Sequence, residues 1–149
     1  MSSYVVNAKV IYSALISGKS DYIDLAIVHR LYLPNFGMTE LQQYQQVIFE
    51  KKRQRPEELK QYTLALFRKI TIVPNLLISL HNYRSAFELC KDIDDKDTAN
   101  VALSLELNHS LPTRDKPLAV GLRAKGFTNV VLLDELFAQT DDTDTDSTN

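Results

Sequence analysis

Five short apolar runs, set apart by much longer stretches with helical periodicity, constrain the fold of this 149-residue chain more than any other feature. The runs are Tyr4-Val5-Val6, Tyr32-Leu33, Ile70-Thr71-Ile72-Val73, Leu111-Pro112-Thr113 and Val130-Val131-Leu132. A short β-branched run without polar alternation reads as a strand covered on both faces. Strands joined by segments too long for hairpins need crossover helices. The expected fold class is therefore α/β, with a mainly parallel central sheet and helices on both faces.

Helical patterns fill the gaps. Residues 8–16 place Val10, Ile11, Ala14 and Leu15 on one face and stop at Gly18. Ser20 is a candidate N-cap for a helix over 21–30. One long helix is expected from Gly37 to about Lys52, with Leu41, Tyr44, Val47 and Ile48 as its buried stripe. Pro56 suits the first turn of the next, over 57–69. Further helices are expected over 75–89, 98–107 and 116–125, and Asp134 starts a short last one. The length fits one domain, 1–139, followed by an acidic tail, 140–149, which has no apolar residue to bury and is expected to be disordered.

Composition narrows the function. A net charge of −2 provides no global attraction to nucleic acid, so such contacts depend on local basic residues or bound cations. The basic cluster Lys51, Lys52, Arg53 and Arg55 reads first as a solvated helix end and second as an RNA-steering patch. The single cysteine, Cys90, excludes an internal disulfide and lies in an apolar helical pattern, as a buried structural thiol does. His29, His81 and His109 are far apart, so no zinc-ligand spacing exists. No glycine-rich loop follows the first run, which argues against a nucleotide-binding or phosphoacceptor domain. No apolar run reaches membrane-spanning length and Met1-Ser2-Ser3-Tyr4 opens no targeting segment, so a cytoplasmic protein without a membrane partner is expected.

The polar residues are less evenly spread. Asp92, Asp94, Asp95 and Asp97 crowd the start of the helix over 98–107. One acid there can cap the helix, and four exceed that need. They form either a solvated loop or part of a divalent-metal site, and the positions of the other acids decide between these. In a doubly wound sheet, functional groups collect at the carboxyl ends of the strands, near the point where strand order reverses. Asn7 ends the first run, Asp115 follows the fourth, Asp95 and Asp97 start the helix leading into it, and Glu40 begins a helix after the second. Carboxylates sharing a cleft repel and raise one another's pKa values, a penalty that Mg²⁺ or Mn²⁺ removes because hard cations take oxygen ligands. Such an ion also serves an in-line phosphoryl displacement.

The series Asp95-Lys96-Asp97-Thr98-Ala99-Asn100-Val101-Ala102-Leu103, then Leu111-Pro112-Thr113-Arg114-Asp115-Lys116-Pro117-Leu118, extended by Gly121-Leu122-Arg123-Ala124-Lys125-Gly126-Phe127, resembles the PIN domain, a small metal-dependent ribonuclease fold. The likeness spans nearly all of residues 4–137 and is strongest to the VapC-type toxins of toxin–antitoxin pairs. It implies a three-layer α/β/α sandwich and a Mg²⁺- or Mn²⁺-dependent endoribonuclease acting on tRNA or mRNA. It also implies a cognate antitoxin and a homodimer. Matched position by position, Glu40, Asp97 and Asp115 stand at the family's acids, Asp95 where some members keep an additional one, and Thr113 at the hydroxyl before the last acid. Lys9, Thr113, Arg114, Lys116 and Arg123 are the candidate substrate contacts. The family's first strand normally ends in Asp, then a small residue, then often Asn; here the residues are Asn7-Ala8-Lys9. An amide at position 7 keeps a carbonyl oxygen but loses a charge and cannot act as a base, so the enzyme is expected to be weakened or silent as it stands. The alternative is a non-catalytic PIN scaffold that binds RNA or protein.

Overall fold

The computed structural model describes residues 1–139. The acidic tail expected over 140–149 lies outside the described residues.

The five apolar runs become β1 (Ser3–Val5), β2 (Arg30–Pro34), β3 (Ile70–Val73), β4 (Leu111–Thr113) and β5 (Val130–Leu132). β1 pairs with β2, β2 with β3 and β4 with β5, all parallel. A parallel bridge between Tyr4 and Ser110, with the Val5 N–H donating to the Ser110 carbonyl at 2.9 Å, joins the two groups. The strand order is thus 3-2-1-4-5, and it reverses between β1 and β4. Pro112 helps explain why that seam is thin: it has no N–H to extend a ladder, so the two strands are held by one bridge among the described residues.

The crossovers follow from the order. Right-handed connections running outward from β1 to β3, then from β1 to β5, place their helices on opposite faces. α1 (Ala8–Ser17), α2 (Ser20–Val28), α3 (Phe36–Gln43), α4 (Gln45–Lys51) and α5 (Pro56–Phe67) accompany the first set. α6 (Leu80–Cys90), α7 (Thr98–Leu107) and α8 (Lys116–Ala124) accompany the second. Two hydrophobic clusters result. Val6, Ile11, Leu25, Leu33 and Leu66 belong to one; Val5, Ala86, Cys90, Leu103, Leu118 and Leu122 belong to the other. Neighbouring Val5 and Val6 are both fully buried and feed opposite clusters, as the strand's period of two requires. The fold is the α/β/α sandwich with a parallel sheet. Cys90 is the buried thiol expected, and among the described residues no helix is long and apolar enough to cross a membrane.

Four local expectations are corrected. The single helix over 37–52 is broken at Tyr44 (φ −93°, ψ 0°), whose N–H bonds Leu41 one residue short of the α-helical partner. Tyr44 packs its ring on Tyr12 of α1, with centroids 5.1 Å apart, so tertiary packing overrides a continuous helical pattern. The helix over 75–89 splits into a 3₁₀ turn, Asn75–Leu77, and α6, which Ser79 caps by accepting the Asn82 N–H at 3.2 Å. Ser20 is the first helical residue of α2 rather than its cap; Lys19 stands at the cap position without a side-chain bond. The last helical stretch covers 133–139, starting one residue before Asp134.

Candidate active site

A crevice of about 310 Å³ opens at the carboxyl ends of β1 and β4, where the strand order reverses. Asn7, Lys9, Asp97, Thr113, Arg114 and Asp115 line it, so residues more than a hundred positions apart share one wall. A larger groove, about 610 Å³, lies between α3, α4 and α5, but it is mainly apolar, with Leu41, Ile48, Phe49, Leu59 and Leu64 among its lining. Glu57 is the one acid in its lining, whereas the smaller crevice brings Asp97 and Asp115 together, and the smaller crevice is the candidate site.

Each lining residue is placed by local structure. Asn7 is buried and caps α1, its Oδ1 accepting the Val10 N–H at 2.9 Å. Asp115 caps α8, accepting the Leu118 N–H at 3.0 Å, while its own N–H donates to Thr113 Oγ1 at 3.0 Å. Thr113 therefore fixes the turn that aims Asp115. Arg114 projects between them. Its Nη2 donates to the Tyr22 hydroxyl at 2.7 Å and its guanidinium lies 5.9 Å from the centre of the Tyr22 ring. Tyr22 is itself buried, edge-on to Phe137 at 5.1 Å.

Asp97 behaves differently from the other acids. It stands at the cap position of α7 but makes no capping bond. It is 5% exposed, and its Oδ1 accepts a hydrogen bond from the buried Asn100 amide at 3.3 Å. A buried carboxylate not used as a cap is a costly residue to keep for structure alone. Burial pushes its pKa above the ordinary carboxylate range; Asp94 and Asp115 push the same way, and Lys9 and Asn100 oppose them. Glu40, half-buried on α3, is also raised, first by burial and then by Asp97, with Lys9 pulling it back. Glu40 is not part of the crevice wall, yet it shares one electrostatic field with Asp97 and Lys9.

The acidic run resolves into separate tasks. Asp92 pairs with Lys125 at 2.7 Å, and Lys125 also donates to the Leu89 carbonyl at the end of α6 at 3.0 Å. Asp94 caps the 3₁₀ turn Asp95–Asp97 by accepting the Lys96 N–H at 3.1 Å. Asp95 is exposed, and its carbonyl receives the Thr98 hydroxyl. Asp94, not Asp95, is the second acid of this run felt by Asp97 and Glu40. Sequence reasoning passed over Asp94, and also Asn100, whose i, i+3 spacing from Asp97 was a usable signal. Tyr22, 92 residues from Arg114, carried none.

Two candidate substrate contacts lie outside the crevice wall. Lys116 is exposed at the first position of α8. Arg123 sits seven residues further along that helix, roughly 10 Å away by helical rise, and its Nη2 donates to the Val130 carbonyl at 3.0 Å, tying α8 to β5.

The donor chemistry matches a hard divalent cation in kind: carboxylate and amide oxygens, with no thiol or imidazole. The number is short. Among the described residues no three acidic, histidine or cysteine groups converge on one point, and the amide oxygen of Asn7 is already a helix cap. Asp97 and Asp115 are the residues that would hold such an ion, with Glu40 as the nearby third acid. Among known families, the one described as PIN domain matches residues 5–144 of the chain. No curated protein matches it.

Proposed function

The chain belongs to the PIN-domain family, whose members are generally nucleases that use divalent metals, and from that premise we propose that it is a Mg²⁺- or Mn²⁺-dependent endoribonuclease, weakened by Asn7. The observation that carries the reading is the buried, non-capping Asp97 lining one crevice with Asp115 where β1 and β4 part. A bound Mg²⁺ or Mn²⁺ would supply an activated water and neutralise charge on the phosphate. Asp97 and Asp115 would hold it, with Glu40 adding charge. Arg114, steadied by Tyr22, presents guanidinium donors to a phosphodiester, a match of planar donor to oxyanion. Thr113 keeps the Asp115 turn in place.

Within the same reading the protein acts as the VapC-type toxin of a toxin–antitoxin pair, on tRNA or mRNA, as a homodimer restrained by a small antitoxin. The apolar groove between α3, α4 and α5 supports that partner assignment by offering a helix-sized hydrophobic face. A second reading, a non-catalytic scaffold that binds RNA or protein, is favoured by one observation: the Asn7 oxygen is spent on α1. The test is cleavage of total RNA and a tRNA panel with Mn²⁺ or Mg²⁺, with and without EDTA, by this protein and by Asn7→Asp. Cleavage by the variant, abolished by EDTA, supports the nuclease. No cleavage by either, with no divalent binding to either, transfers the assignment to the scaffold.

A further inference from the structure

Lys9 is in an unfavourable place for a lysine. It is the second residue of α1, at the positive end of the helix dipole, where a cation is typically worth a few tenths to about 1 kcal/mol of destabilisation. No acid of the first turn of α1 offsets it. Acids able to offset it come from other segments of the chain that line the same crevice. Lys9 lines the same wall as Asp97 and Asp115 and bears electrostatically on Asp97 and Glu40. Among the described residues it forms no direct ion pair with them, so it acts through space.

We propose that Lys9 is the crevice's built-in counter-cation: its ammonium, held at the start of α1, offsets the Asp97, Asp115 and Glu40 carboxylates and so competes with a divalent ion for them. The inference rests on the metal-dependent reading above and goes beyond it by assigning a residue that sets how strongly the ion binds. Asn7 and Lys9 act in the same direction. The neutral amide withholds a negative charge from the crevice and the lysine adds a positive one, so both lower the pull on a dication. A crevice compensated in this way keeps its acids folded together without metal, and restoring position 7 alone would not restore full divalent affinity.

The test is isothermal titration of MnCl₂ into the full chain at low ionic strength. The proteins compared are the unaltered chain, Lys9→Gln, Lys9→Arg, Asn7→Asp, Asn7→Asp/Lys9→Gln and Asp97→Asn. Lys9 is exposed, so its variants are expected to fold, and far-ultraviolet circular dichroism checks this. Lys9→Gln is expected to tighten Mn²⁺ binding by about tenfold, Lys9→Arg to leave it unchanged, and the gain to shrink as salt screens the charge. The double variant should bind more tightly than Asn7→Asp. Equal Mn²⁺ affinity with and without Lys9, where Asp97→Asn still weakens it, overturns the counter-cation assignment and leaves the metal centre standing. Absence of Mn²⁺ binding in every protein, the double variant included, overturns both.

Discussion

Gly37→Ala tests whether close packing beneath α3 holds Glu40 in the field of Asp97. A Cβ added at Gly37 would meet Leu33 Cδ1 at 2.5 Å and Cγ at 3.0 Å. Carbon atoms prefer roughly 3.5–4.0 Å, so the contact is about 1 Å too short. Leu33 is fully buried in β2 and its Cγ is a branch point, so the side chain has little room to retreat. Overpacking of this kind costs about 1–3 kcal/mol. Replacing glycine near the start of a helix recovers at most about 1 kcal/mol. The net expectation is a loss of roughly 1–2 kcal/mol, or about 2–8 °C in melting temperature for a domain of this size. Because the chain has no tryptophan, far-ultraviolet circular dichroism in urea is the suitable assay. Leu33→Ala removes the clashing atoms, so Gly37→Ala should cost less in that background, with a coupling of at least about 1 kcal/mol. An alanine at 37 that stabilises the protein, or effects that simply add, would refute the packing argument. α3 also carries Glu40 one turn further on, so the clash should weaken Mn²⁺ binding along with stability.

Two further outcomes follow from the site. Asp97 and Glu40 hold their protons more tightly in the folded protein than in the unfolded chain, so their contribution favours folding below the ordinary carboxylate range and is lost as pH rises through and above it. Without metal, Asp97→Asn should therefore melt higher than the unaltered chain at pH 7, with the gap closing below the ordinary aspartate value of 3.8; no gap at pH 7 in a folded variant would contradict the burial argument. Tyr22→Phe removes the 2.7 Å bond to Arg114 while keeping the ring against Phe137. It should weaken RNA binding, read by anisotropy of a labelled oligonucleotide, by about two- to tenfold; an Arg114→Ala loss without any loss in Tyr22→Phe would show that Tyr22 does not position the arginine.

Much of the architecture was legible because it depends on local chemistry. Continuous apolar runs such as Tyr4-Val5-Val6 cannot face water on either side, and the segments between them are too long for hairpins. Pro56 and Gly18 mark helix ends by constraints that act within one turn. The misses lie where a distant partner wins. Tyr44 breaks a helix whose pattern runs through it because Tyr12 of another helix takes its ring. Asp94 and Asp95 look alike in sequence, and only the turn geometry makes the first the cap of the 3₁₀ turn and leaves the second in solvent.

The amino-acid sequence by itself determined an α/β fold with a mainly parallel sheet and a short list of candidate acids at the strand ends; the seam between β1 and β4 came from the strand pairing. Periodicity, caps and strand composition are short-range properties, so they are readable along the chain. The tertiary structure alone decided which acid is buried without a structural task, that the Asn7 oxygen is committed to a helix cap, and that Lys9 lines one crevice with Asp97 and Asp115. Those outcomes depend on burial and on through-space charge, which exist only once segments far apart in sequence share a low-dielectric crevice.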